Sequence, residues 1–359
     1  MASISKIKQN AQSDELSMVI SDVDVSFVNA LRRIILSEVE TIGFNTDEYL
    51  NSDLKIIENN TPVHNEFILH RFGLVPVNFP NINDFDSSKY RFVLNKENTE
   101  NKIVNVTSGD FEVYNTDTNE KLETNDFFMP DNLTKEHILL LKLKQNEKIH
   151  IEGKASKSSG NKNARFSPVS CALYTYVHDS DKFKKAVADA GLKTSQEINS
   201  FKIDAGERFF KTNEEDEPNE FEFKIETLGT ISNKEIMKTS LQILAKKLLT
   251  FRDNVSTIIV DNGNIDTMKI YESLDTMKAF TIDIENETHT LGNLLQAHLV
   301  LNPEVQFVAY MNPHPLIKNI QIKVKVEDMT TLNLIIKKTV EKLIETINNF
   351  IKTINTKVK

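Results

Sequence analysis

The stretch "SFVNALRRIILSEVETIG", Ser26 to Gly43, decides the fold. Read at ~100° per residue, it places Val28, Leu31, Ile35, Val39 and Ile42 on one stripe. Ile34 and Leu36 widen that stripe to roughly 200° of arc. The expectation is one helix across the stretch. Arg32 falls inside the apolar arc, between Val39 and Leu36, and Arg33 falls outside it, near Glu40. A stripe this broad can cover its own sheet and also meet a partner helix.

The same plan occurs twice. Leu16, Met18 and Ile20 alternate with polar residues as in a half-buried strand, and Phe280, Ile282 and Ile284 do the same in "AFTIDIEN". A short polar loop and a helix follow each. In the second copy that helix is "THTLGNLLQAHLVLNP", capped by Thr288 or Thr290 and stopped by Asn302-Pro303. Its stripe is Leu291, Leu294, Leu295, His298 and Leu299. The copies superimpose at one offset of 264 residues: Ile20 on Ile284, Asn29 on Asn293, Leu31 on Leu295, Ile35 on Leu299.

Both copies close alike. "FEFKIETLG" and "NIQIKVKV" are alternating strands, each followed by a long helix. Met237, Leu241, Leu244, Leu248 and Phe251 form the seam of the first helix. Leu332, Ile336, Val340, Leu343, Ile347, Ile351 and Ile354 form that of the second. Narrow, persistent seams suit helices packed side by side. Each unit is therefore strand, helix, strands and long helix, an α+β layer.

The first copy is interrupted by roughly 175 residues, against roughly 20 in the second. "TPVHNEFILHRFGLVPVNFP" predicts a short helix, with Gly73 at its cap and Pro76 preventing its resumption. β-like segments follow: "YRFVLN", "NKIVNVTSG" and "HILLLKLKQNEKIHIEGKA". This reads as an inserted β-rich domain, closed by the Lys/Ser/Gly loop "KASKSSGNKNARFSP". That loop, with Lys154, Lys157, Lys162 and Arg165, could touch nucleic acid, but solvent or a neighbouring subunit is the better reading. "KTNEEDEPNE" reads as a solvated acidic loop.

Composition bounds the function. The chain has 359 residues, 39% hydrophobic and 26% charged, no Trp, 21 Phe and a net charge of −9. That balance argues against a free-standing nucleic-acid binder, which needs a basic surface. The lone cysteine, Cys171, excludes an intramolecular disulfide and any multi-cysteine metal site. The polar N-terminus lacks an apolar signal core, and no run reaches the ~18 residues of a membrane span. A soluble, intracellular protein is expected.

"NALRRIILSEV", followed by "HNEFILHRFGLVPV", resembles the third-largest subunit of eukaryotic and archaeal-type RNA polymerases, a relative of the bacterial alpha subunit. "ETHTLGNLLQAHLVLNPEVQFVAYMNPHPL" resembles their eleventh subunit. Both in one chain resembles the fused subunit of large cytoplasmic DNA viruses. The resemblance implies an α+β fold of two pseudo-symmetric, alpha-like dimerisation modules. The first covers 1–45 and 166–262 and is interrupted by a β-rich domain at 46–165. A linker at 263–275 leads to the second module, 276–359.

It implies a non-catalytic assembly platform for DNA-templated transcription, binding the second-largest and largest subunits and small zinc-ribbon subunits. DNA would be reached only through the complex, and no membrane is involved. The viral likeness adds host cytoplasm, viral factory and virion. Asn29, Ala30, Leu31, Arg32, Asn293, Leu294, Leu295 and His298 would form the internal interface. Arg32 would cross it to a carboxylate or helix-end carbonyls, or else snorkel out of the groove. Arg33, His70, Arg71, Gly73, Pro76 and Arg165 would meet other subunits. Many relatives carry a cysteine-rich loop in the inserted domain; "NINDFDSSKYRFVLNKENTENK" holds no cysteine, so no metal and no cofactor are expected. Gln296 stands where the family often has a basic residue. Pairing of the modules within one chain or between two stays open.

Two rivals remain. Asp22, Asp24 and Asp283 could serve a metal-dependent hydrolase or nucleotidyltransferase, although acids before a helix ordinarily serve its N-terminus. A homodimeric scaffold unrelated to transcription is the other. His64, Glu66 and His70 lack the i, i+4 histidine spacing of a zinc protease. No phosphate-binding glycine loop or serine elbow occurs.

Overall fold

The computed structural model describes residues 2–10, 14–261, 263–272 and 279–358. The chain opens with β1 (Ser3–Asn10), β2 (Glu15–Ser21), α1 (Val25–Ser37) and β3 (Glu40–Gly43). It continues through β4 (Leu54–Asn59), α2 (Asn65–Gly73), β5 (Tyr90–Glu97), β6 (Val104–Thr107), β7 (Glu112–Asn115) and β8 (Lys121–Leu122). α3 (Thr124–Phe127), β9 (Leu139–Leu143), β10 (Lys148–Gly153) and β11 (Ser156–Ser159) follow. β12 (Val169–Tyr176), α4 (Ser180–Asp189), α5 (Ser195–Ala205), β13 (Glu220–Thr227) and α6 (Asn233–Asp261) complete the first half. The second half is β14 (Met268–Glu272), β15 (Phe280–Glu285), α7 (His289–Leu299), β16 (Phe307–Met311), β17 (Asn319–Lys325) and α8 (Met329–Lys357).

Two antiparallel four-stranded sheets share one order, β1-β2-β13-β12 and β14-β15-β17-β16. Their registers agree as well. Ile20 faces Phe221 as Ile284 faces Ile320, and Ile4 faces Ile20 as Met268 faces Ile284. The long helices match residue by residue at a single spacing. Buried Ile236, Met237, Ser240, Leu241, Leu244, Leu248, Phe251 and Val255 of α6 correspond to buried Ile335, Ile336, Thr339, Val340, Leu343, Ile347, Phe350 and Ile354 of α8. Burial on one helical face recurs because each helix covers one sheet face. A single core runs through both modules.

The stretch expected to be a linker at 263–275 carries β14, the edge strand of the second sheet and the counterpart of β1. Its alternation is short, with only Met268 and Ile270 buried, so it stands out poorly from a linker. Residues 273–275 lie outside the described part. The helix expected over Ser26–Gly43 ends at Ser37, with Glu38 as its C-cap. Val39, Thr41 and Ile42 are β-branched, which favours extended backbone, and β3 pairs with β11. Val39 and Ile42 are therefore not on the helical stripe.

β3 and β11 form the antiparallel two-stranded ribbon through which the chain leaves and rejoins the first module. Between them a second core spans Ile42 to Ala155, built on the five-stranded sheet β4-β10-β5-β7-β8 and the ribbon β6-β9. Phenylalanines fill it, with Phe111 stacked on Phe128 at 4.8 Å between ring centroids. α4 and α5 project between β12 and β13 and bury none of their residues fully. Phe183, Phe201 and Phe209 hold this arm together. The sequence reading did not anticipate it: two short helices with sparse apolar positions leave a weak period.

Candidate functional site: the seam between the modules

Asp24 opens α1 by accepting a hydrogen bond from the Ser26 amide at 2.6 Å. On a helix that stops at Ser37, the buried residues are Ser26, Phe27, Val28, Ala30, Leu31, Ile34 and Ile35. Arg32 and Arg33 then border this face on opposite edges. α1 packs against α7, whose Leu294 and Leu295 are buried like Leu31. α6 packs along α8, α6 reaches β14 and α8 reaches β1, so each long helix touches the other module's edge strand. The modules pair within the one chain.

The arginine that crosses the seam is Arg33, not Arg32. Arg33 Nε donates to Thr290 Oγ1 across the seam at 2.9 Å. Arg32 Nε donates to Asn29 Oδ1 of its own helix at 3.1 Å. The expectation failed because it drew the edge of the apolar arc at Leu36, which is only half-buried, and left out Ser26 and Ala30, which are buried. With that edge corrected, the arc shifts toward Arg33, which borders the face that meets α7. Asn29 and Asn293 are half-buried at the rim. His298, also half-buried, pairs its Nδ1 with the Leu294 carbonyl at 2.9 Å. Burial holds its imidazole below the ordinary histidine pKa.

Three residues that the sequence reading missed close one end of the seam. Lys247 of α6 pairs with Glu287, before α7, at 3.0 Å and with Glu38, after α1, at 3.1 Å. Their side chains are 20%, 16% and 21% exposed, respectively. Burial alone would push the Lys247 ammonium down, but the two carboxylates outweigh it and its pKa is raised. Burial pushes the Glu287 carboxyl up, opposed by Lys247. Gln296 uses its Oε1 to accept from the Tyr310 amide at 3.2 Å, tying α7 to β16.

The residues assigned to outside contacts divide. His70 and Arg71 are exposed on α2, and Pro76 is half-buried. Phe67, 70% exposed, and Leu74, 55% exposed, share their face at helical spacing. Gly73 and Arg165 are not external. The Arg165 side chain is 6% exposed and pairs with Asp47 at 2.6 Å, while its Nη1 donates to the Phe44 carbonyl at 3.2 Å. A Cβ on Gly73 would strike Thr46 and Arg165, so only glycine lets α2 sit there. Arg165 pins the entry of the inserted domain because a guanidinium that reaches inward needs several acceptors.

Asp22, Asp24 and Asp283 are not brought together. Asp24 caps α1, and Asp283 lies in β15 of the other sheet beside Gln321. Among the described residues, no group of three or more His, Cys, Asp or Glu could hold a metal ion. No described helix is long and apolar enough to cross a membrane.

Residues 17–248 match the RNA polymerase Rpb3/Rpb11 dimerisation domain, and residues 279–353 match a second description of that domain. The chain belongs to this family. It is 26% identical over 257 residues to the DNA-directed RNA polymerase subunit Rpo3 of Thermococcus kodakarensis, covering 65% of this chain and 91% of that protein. A conjugation stage-specific protein of Tetrahymena thermophila is 23% identical over 295 residues, 68% of this chain and 93% of the relative. A probable RNA polymerase II subunit RPB11 of Caenorhabditis briggsae is 44% identical over 69 residues, 19% of this chain and 57% of the relative.

Proposed function

We propose that this chain is a non-catalytic assembly platform of a multi-subunit DNA-directed RNA polymerase, with the third- and eleventh-subunit roles fused. One observation carries the reading: a single chain matches the dimerisation domain twice, on two modules with sheets of identical order that pair through their helices. Fusion replaces a bimolecular encounter with an intramolecular one, at an effective concentration near millimolar for short flexible linkers. The platform binds the second-largest and largest subunits and small zinc-ribbon subunits, and reaches DNA through them. Its place is the cytoplasm, in the manner of a viral polymerase that works in the factory and is packaged in the virion.

The outer face of α2 supports an external contact, since Phe67 and Leu74 expose large apolar side chains beside His70 and Arg71. The test is affinity purification of the tagged chain followed by mass spectrometry. Both largest polymerase subunits are expected to co-purify, and Phe67→Ala/Leu74→Ala is expected to weaken their recovery. Recovery of no polymerase subunit would sink the reading in favour of a scaffold outside transcription.

A further inference from the structure

The two ends of the α1–α7 crossing are equivalent in the repeat but not in chemistry. At the spacings that align the modules, Glu287 corresponds to Val23, Lys247 to Thr346, Glu38 to Asn302 and Arg33 to Ala297. Val23, Ala297 and Thr346 line one cleft of about 430 Å³ at the far end. Thr290 corresponds to Ser26, whose Oγ is buried without a partner. Among the described residues, the Lys247 ion pairs lie at one end, while the charged side chain that α8 brings to the other is the exposed Lys342.

We propose that Glu38, Lys247 and Glu287 select the pairing partner, admitting the second module to the first and rejecting a second copy of itself. The inference concerns the chain alone and does not depend on the polymerase reading. If two second modules met about the same axis, Glu287 would face Thr346 and Asn302 at both ends. Glu345, the counterpart of Lys246, would stand beside it in place of a cation that lines the Glu287 pocket in the real seam. Lys342, the counterpart of Ile243, lines the far-end cleft with Val23 and Thr346 and would be the nearest cation, but its side chain is exposed and Asn302 stands where Glu38 fixes Lys247, so it does not replace the held ammonium of the real seam. A carboxylate that stays buried after losing the ammonium fixed beside it is poorly tolerated. Two first modules would lose less, because Lys247 keeps Glu38 of its own module and meets Val23. A homotypic dimer of two chains needs as many second–second as first–first contacts, so the buried Glu287 disfavours the whole assembly. Exchange of modules between chains in first–second pairing keeps the code satisfied and is opposed only by the tether.

The test uses the full chain. Lys247→Glu and Glu287→Lys are each expected to lower Tm by roughly 5–10 °C and to shift the chain from monomer toward larger species in light scattering. The double variant, which restores opposite charges, should regain the monomer and at least half of the lost Tm. Unfolded together and refolded as a mixture, the two single variants should form a 1:1 heterodimer, because each supplies the charge that the other's seam lacks. Single variants with wild-type Tm and size, or a double variant no better than the worse single, would overturn the proposal. So would a mixture that stays as separate chains while the double variant recovers, because the cluster would then stabilise the seam without choosing the partner.

Discussion

The second module passes from α7 to β16 in a few residues, whereas the first passes from α1 to β12 through a whole inserted domain. From β16 to β17 the second module uses a short turn, in which His314 Nδ1 accepts from the Leu316 amide at 3.2 Å. The first module sends out the α4–α5 arm at the equivalent place. The sheets and long helices between these exits stay in register. The contrast follows from relative costs. Lengthening a loop costs little more with each residue, while altering a packed core is felt at once. The twin cores are therefore conserved against each other, and difference accumulates at the rim.

The sharpest way to break this comparison is at the long helices. Phe350 of the second module meets Phe27 of the first edge-to-face, 5.6 Å between ring centroids. Phe350→Ala should cost about 3–5 kcal/mol in denaturant unfolding. Its counterpart Phe251→Ala should cost a similar amount if the two-fold relation holds energetically; a gap above about 2 kcal/mol would show that it is geometric only. Next comes Gly292, whose place in the first module is held by Val28. A Cβ there would enter the Tyr310 ring, so Gly292→Val should cost about 1–3 kcal/mol by the same measurement.

A smaller effect is expected from pH. Burial holds His298 below its ordinary 6.5, with Asp24 opposing the shift and Lys342 reinforcing it. The unfolded chain then binds a proton first, so this group's contribution is full above 6.5 and is lost as pH falls toward the folded value. The slope of Tm against pH below 6.5 should flatten in His298→Gln. The smallest expected change sharpens the comparison of the two ends. Ser26→Ala removes a buried hydroxyl with no partner and should leave stability within about 0.5 kcal/mol, or raise it, in thermal unfolding. The equivalent Thr290→Ala removes the acceptor of Arg33 and should cost about 1 kcal/mol or more.

The internal seam was legible in part. Leu31, Ala30, Leu294 and Leu295 could be read because burial on a helix leaves a period, and the α+β class followed from strand alternation joined to that period. The inserted domain announced itself through length and β-like runs. Arg33 rather than Arg32 crosses the seam because the inferred face counted half-buried Leu36 and left out buried Ser26 and Ala30, which rotated it away from Arg33. β1 and β14 went unread because each buries so few residues, Ile4 in β1 and Met268 and Ile270 in β14, that no alternation stands out.

Alone, the order of residues determined that two similar halves exist, which aliphatic residues line the seams of the long helices α6 and α8, and where the first half is interrupted. These are local properties, set by side-chain period and by turn residues a few positions apart. Only the tertiary structure decided that Lys247 lies between Glu38 and Glu287, that Arg33 rather than Arg32 crosses to Thr290, and that Arg165 and Gly73 lock together inside. Ion pairs and close contacts depend on ångström distances between segments remote along the chain, and no local pattern carries that information.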